Sequence, residues 1–475
     1  MAMDRARRAE LQRRARMIRL ECQRRGLGVE HTAGAILADL PELLPLEAWR
    51  LAHGWSRPAA LQALAALYQA EGLPAPAVNT AMLCRWEHGT VSLSAEYAAA
   101  LSRLYQMPPR RLGLQRGGSG TVRRAYSAER VPVVTVSGHR DDGEEADPMR
   151  RRTLLAVGLS IPVPLLERVD DMLALPPPPG PPAGPGQIKE LLAAARRQYN
   201  ASALTALVAA LPGLVATARD TAERSNTPAA LQALAACYDL ATDTLNKIGR
   251  KQAARITADR AVGCAERSGD PVAMGASARA LGMMLRTEGR HPIALRVFRQ
   301  AIDRLDATGL RTPAQTSVAM RLLCAEAYTA AWAGDRTGAL DGIGEAERAA
   351  QRLERLTARP GAAGPFVALY RVDVHYALGD AGTALHAAGH LREGMFPTPE
   401  RRARFHTDLA RAWWQWGKPE ETAKALLSAH RQAPAEVADR PSIRRIADEL
   451  AARHARVPGV QELAAALSPG HLPPA

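Results

Sequence analysis

Aromatic side chains are sparse: Phe, Tyr and Trp together make up 4% of the 475 residues. That excludes strands with alternating aromatic and β-branched residues for most of the chain, whose periodic stretches are Ala- and Leu-rich. Lysine is nearly missing too, with only Lys189, Lys247, Lys251, Lys418 and Lys424, so the positive charge is almost all arginine. The five cysteines (Cys22, Cys84, Cys237, Cys264 and Cys324) form no C-x-x-C pair and lie in no His-rich cluster, which argues against disulfides and zinc. No Gly-rich phosphate loop, G-x-S-x-G elbow or H-E-x-x-H pair occurs, so no enzyme, cofactor or metal is expected. Arg150-Arg151-Arg152-Thr153-Leu154-Leu155 imitates a twin-arginine export signal. It starts deep in the chain, however, and prolines break its apolar run. A cytoplasmic, nucleoid-associated protein without membrane contact is therefore expected.

What is present is helical periodicity and uneven charge. The chain carries +14 overall. Residues 1–124 hold 18 Arg, no Lys and 10 acidic residues, a net of +8. More than half of the excess thus sits in a quarter of the chain, which suits an anionic partner there. Composition and punctuation divide the chain into a basic helix or arm (1–40), a compact unit (41–115), a linker with a short helix and a Pro-rich spacer (116–186), a long periodic region (187–468) and a disordered tail (469–475). The expected fold class is all-α.

In the compact unit, Leu46 to Ala52 reads as a helix ending near Gly54. Ser56 caps a second helix, Asn79 a third over 80–87 closed by Gly89, and Ser94 a fourth. Pro108-Pro109 opens a fifth containing Leu112. This order, with Leu83-Cys84-Arg85-Trp86-Glu87-His88-Gly89 and Leu101 to Pro108, resembles the repressor/Cro-like (XRE-type) helix-turn-helix family. One departure is a longer turn between the second and third helices, through Glu71 to Val78. The resemblance implies double-stranded DNA as partner. The third helix would enter the major groove, with Asn79, Thr80, Ala81, Met82 and Arg85 at base edges and Arg57 on phosphate. Trp86 and Leu83 are expected in the core and Glu87 in a pair or cap.

Beyond residue 187, Gly249, Gly289, Gly334, Gly379 and Gly417 recur, and small residues follow five later: Ala254, Ala294, Ala339, Ala384 and Thr422. Each block reads helix, Gly turn, helix. Gly282, seven before Gly289, and Phe298 stand at a small and an aromatic position. The pattern resembles tetratricopeptide repeats with a lengthened period, so a helical solenoid is expected. Together with the N-terminal unit, it is similar to regulators of differentiation and secondary metabolism in high-GC filamentous bacteria. Counting from the glycines, the groove would be lined by Asp239, Asp243, Asn246, Arg279, Met283, Arg286, Arg321, Tyr328, Trp332, Asp373, Tyr376, Arg404, Arg411 and Trp414. Acid at one end with Arg and aromatics beyond suits a protein or peptide partner. Asn, which clamps peptide backbones in related sensors, is rare beyond residue 79, which favours an acidic protein segment or a second copy of the chain. The expected function is a homodimeric, DNA-binding transcriptional regulator with a partner- or signal-sensing solenoid. The alternative is a protein-interaction scaffold whose degenerate helix-turn-helix no longer binds DNA.

Overall fold

The computed structural model describes residues 5–91, 93–114, 161–175 and 184–468. Among these the chain is all-α, with 22 helices and no strand. Most of the expected linker, the export-like motif and the tail lie outside the described residues. No described helix is long and apolar enough to cross a membrane.

Six helices build the N-terminal unit: α1 (Arg5–Arg24), α2 (Val29–Asp39), α3 (Pro45–Ala52), α4 (Arg57–Ala70), α5 (Thr80–Glu87) and α6 (Ala95–Leu104). Their starts follow from capping. Ser56 accepts from the Ala59 amide, Asn79 from Met82 and Ser94 from Tyr97, each cap being worth about 1 kcal/mol. The basic segment is no separate arm. Leu11 and Ala15 of α1, and Ala33 and Ile36 of α2, lie fully inside one core with Leu64, Tyr68, Leu83, Trp86 and Tyr97. The expected fifth helix is only a turn. Pro108 and Pro109 lack amide donors, and Gly113, at φ +71°, ends the segment one turn later.

After α7 (Val163–Ala174), the chain stacks antiparallel helix pairs: α8 (Pro185–Asn200) with α9 (Leu204–Ser225), α10 (Pro228–Lys247) with α11 (Lys251–Ser268), and α12 (Pro271–Thr287) with α13 (His291–Asp306). Then come α14 (Pro313–Ala333) with α15 (Arg336–Thr357), α16 (Gly364–Leu378) with α17 (Ala381–Ala387), and α18 (Pro399–Trp416) with α19 (Pro419–Gln432). Short helices α20 (Ala435–Ala438), α21 (Pro441–His454) and α22 (Val460–Ala466) finish the array. Small residues set the spacing inside a pair. A Cβ on Gly282 would lie 2.2 Å from the Phe298 ring, so only glycine admits that ring. The turn glycines Gly249, Gly289, Gly334, Gly379 and Gly417 all have φ between +77° and +91°, a region that costs other residues about 1 kcal/mol.

The array curls until its two ends meet. Lys247 of α10 donates to Glu400 of α18 and Glu436 of α20, both at 2.7 Å. Ser202, in the α8–α9 turn, donates to Glu436 at 2.5 Å, and Gly249 abuts Pro441. The first helices of the pairs thereby surround an internal channel rather than an open groove.

Candidate functional site

The α3–α4–α5 corner is built on a buried ion-pair node. Glu87 is fully buried and accepts from Arg57 Nε at 2.7 Å and Arg50 Nη2 at 3.2 Å. Glu47, 3% exposed, accepts from both guanidiniums at 3.3 Å, and Arg50 also donates to the Trp55 carbonyl at 2.8 Å. His88 completes the node, with Nε2 3.6 Å from Glu47 and Nδ1 3.5 Å from Cys84 Sγ. Cys84 and then Glu47 push the His88 imidazole up to about 9. Burial works against the Glu47 carboxylate, yet His88 and the two arginines hold it below the usual range. Arg57, expected on phosphate, is thus paired inside the protein in this form. Arg50 was not singled out in the sequence. Its signal was the Glu47–Arg50 i,i+3 spacing inside an apolar helix.

The helix expected to read bases is split in two by its surroundings. Met82, expected at a base edge, is 1% exposed and packs in the core, because the Asn79 cap turns it inward. Leu83 and Trp86 are buried beside it. Thr80 and Ala81 remain exposed. Of the residues able to hydrogen-bond base acceptors, Thr80 is free to do so, while Asn79 and Arg85 already hold other acceptors. Asn79 Nδ2 donates to the Trp416 carbonyl at 3.0 Å. Arg85 Nη1 donates to the Trp414 carbonyl, and its guanidinium lies 4.5 Å from the Trp414 ring centroid. Both carbonyls belong to the last turn of α18, at the negative end of its dipole, and that of Trp414 also accepts from the Gly417 amide at 3.2 Å.

This contact is one point of a larger dock. Arg336, at the start of α15, bridges Glu96 of α6 at 2.7 Å and Asp380 of the α16–α17 turn at 2.5 Å. The Tyr97 hydroxyl donates to Asp380, and Tyr68 donates to Glu96 at 3.0 Å. Burial and then Asp380 push the Tyr97 phenol far above its ordinary range, so it stays a donor. Turn glycines let the surfaces meet. A Cβ would come within 2.8 Å of Ala95 at Gly334, 2.6 Å of Tyr97 at Gly379 and 2.9 Å of Ala81 at Gly417. Ala381 and Trp416 pack into the core of the N-terminal unit.

Most residues expected in the groove do converge on the channel, but they pair with one another. Arg279 donates to Asp243 at 3.1 Å, and Ser277 to Asp239 at 3.0 Å. Arg411 reaches Asp373 and Asp408, each at 3.3 Å, and the Tyr328 hydroxyl at 3.0 Å, while lying over the Tyr376 ring. Arg404 donates to Asp408 at 3.0 Å. Asp373 and Tyr328 are nearly closed off, at 2% and 7% exposed. Trp332 stands edge-on to Tyr328. Burial pushes Asp239 up to about 7 and Asp373 up to about 6, the neighbouring Asp408 adding to the second. Trp414 is not a channel residue. It is 9% exposed and lies between Arg85 and His454, because its position on α18 turns it toward α5 and α21. Among the described residues no His/Cys/Asp/Glu group could hold a metal ion.

Compared with known families, curated proteins and solved structures, the chain matches none of them.

Proposed function

We propose that the chain is a DNA-binding transcriptional regulator, with an XRE-type helix-turn-helix unit held in a covered form by its own tetratricopeptide-like array. One observation carries this reading. Asn79 and Arg85, the only amide and guanidinium at the exposed edge of α5, both donate to carbonyls at the end of α18. Base edges in the major groove offer the same kind of acceptor to the same side chains. The capped α4–α5 pair and the net +8 of residues 1–124 support DNA as the partner. Binding at two half-sites by a homodimer would raise affinity through effective concentration.

The experiment compares the full chain with Arg336→Ala/Asp380→Asn, which loosens the dock without touching α5. The loosened variant should bind duplex DNA at least about tenfold more tightly. Its affinity should fall steeply with salt. Adding Arg85→Ala in that background should relax sequence preference.

The second reading is an interaction scaffold in which α5 serves only as a packing element. The buried Met82 and the paired Arg57 favour it. It stands if the loosened variant binds no DNA.

A further inference from the structure

The channel is lined by charges of both signs, and their pairing is incomplete. Arg279, Arg404 and Arg411 each have a carboxylate within 3.3 Å. Among the described residues, no carboxylate lies within ion-pair distance of Arg286 or Arg321. Arg286, on α12, rests 4.6 Å from the Tyr328 ring centroid and makes one long hydrogen bond, 3.5 Å, to Thr329. Burial pulls it below its ordinary range, with Arg404 adding repulsion. Arg321, on α14, stacks 5.3 Å from the Phe366 ring centroid, and Arg401 lies 4.9 Å from the same ring.

Arg321 faces groups carried by four other helices. Its side chain is open to solvent, yet Asp243 of α10, Arg279 of α12, Tyr370 of α16 and Arg401 of α18 all act on it. Burial and the two like charges, Arg279 and Arg401, pull it down to about 10. A side chain that solvent reaches, within the electrostatic field of groups on four other helices, faces the solvent-accessible inside of the closed ring. A guanidinium does not discharge at physiological pH, so two unmatched ones facing such a space raise its affinity for anions. The meeting of the two ends of the array limits the size of what can enter.

We infer that the channel is a binding site for a small oxyanion of charge two or more, held at Arg321 in the added positive field of Arg286, with its less polar part against Tyr370, which acts on both arginines. Carboxylates and phosphates share this chemistry, since both accept paired N–H donors from a guanidinium fork. The site replaces the expected acidic protein segment with a small molecule. It rests on the covered-form reading only for its regulatory meaning, because binding can be measured without DNA.

The test uses the full chain, with pyrophosphate, inorganic phosphate, succinate and citrate as probes and matched chloride as reference. Binding is read by calorimetry and by the shift in Tm. At least one probe should bind at millimolar concentration or tighter, and the better of pyrophosphate and citrate tells phosphate from carboxylate recognition. Arg286→Met and Arg321→Gln should each weaken that probe on the order of tenfold or more, and Arg348→Ala, on the outer face, should not. Without anion, Arg286→Met should melt above the parent chain, since it removes an unmatched cation. Binding no better than chloride, binding that survives both channel substitutions, or a lower Tm for Arg286→Met would each overturn the proposal.

Discussion

The N-terminal node and the channel both gather arginines, and they treat them in opposite ways. In the node, Arg50 and Arg57 share Glu47 and Glu87, and each guanidinium reaches both carboxylates. Arg50 is 3% exposed and Glu87 fully buried, so the charges exist only for one another. In the channel, Arg286 and Arg321 have no such partner, while solvent still reaches Arg321. A closed network of this kind fixes a shape, because removing any member leaves another buried and unmatched. An open one keeps capacity for something outside the protein.

The largest effect should come from opening the closed network. Glu87→Gln leaves two guanidiniums short of charge, and should destabilise the N-terminal unit by about 3–5 kcal/mol. Urea unfolding measures this, and a loss under 1 kcal/mol would mean that the node does not hold the unit together. The node should also respond to pH. A histidine raised to about 9 stabilises the fold fully below its unfolded value, and that stability is lost as pH rises through 9. The wild type should lose about 2 kcal/mol more than His88→Ala between pH 6.5 and 9.5, after allowance for partial exposure. Equal losses would remove His88 from the node.

The dock, where the two regions touch, can be separated from turn chemistry by two glycines. Gly289 and Gly379 share a left-handed backbone, but nothing lies within 4 Å of a Cβ on Gly289, whereas one on Gly379 meets Tyr97. Gly289→Ala should cost about 1 kcal/mol and, on the proposed DNA-binding reading, leave DNA affinity unchanged. Gly379→Ala should cost the same and more, and raise DNA affinity. Matching behaviour of the two would dissolve the dock. The smallest effect belongs to the open network. Asp239, pushed up to about 7 by burial, weakens the fold as pH rises from the ordinary carboxylate range through 7. After allowance for partial exposure and for the altered Ser277 contact, Asp239→Asn should therefore gain about 1 kcal/mol at pH 8 and nothing at pH 4, by urea unfolding.

Much of this was legible in local sequence, because caps and turns are local. Ser56, Asn79 and Ser94 mark helix starts within one residue, and the spaced glycines mark the turns. Helical phase also placed Arg279, Asp373 and Arg411 on one face. Three things were out of reach. Leu11, Ala15 and Cys22 are too sparse to announce that α1 is core, since alanine carries little hydrophobic signal by itself. The pairing among channel residues depends on how tightly the array curls, which sums small rotations over every repeat. The dock joins residues hundreds of positions apart, such as Asn79 and Trp416, and no periodicity records such a meeting.

The three glycines of the dock lie in successive turns of the array, at 334, 379 and 417, and each touches the same six-helix unit. A body with one packed core, seated on three successive steps of a spiral, fits only one pitch. Tightening or loosening the spiral by a small rotation per step leaves at least one of the three seats mismatched. The seating of α5 therefore depends on three successive turns keeping their spacing together, and not on any one contact alone.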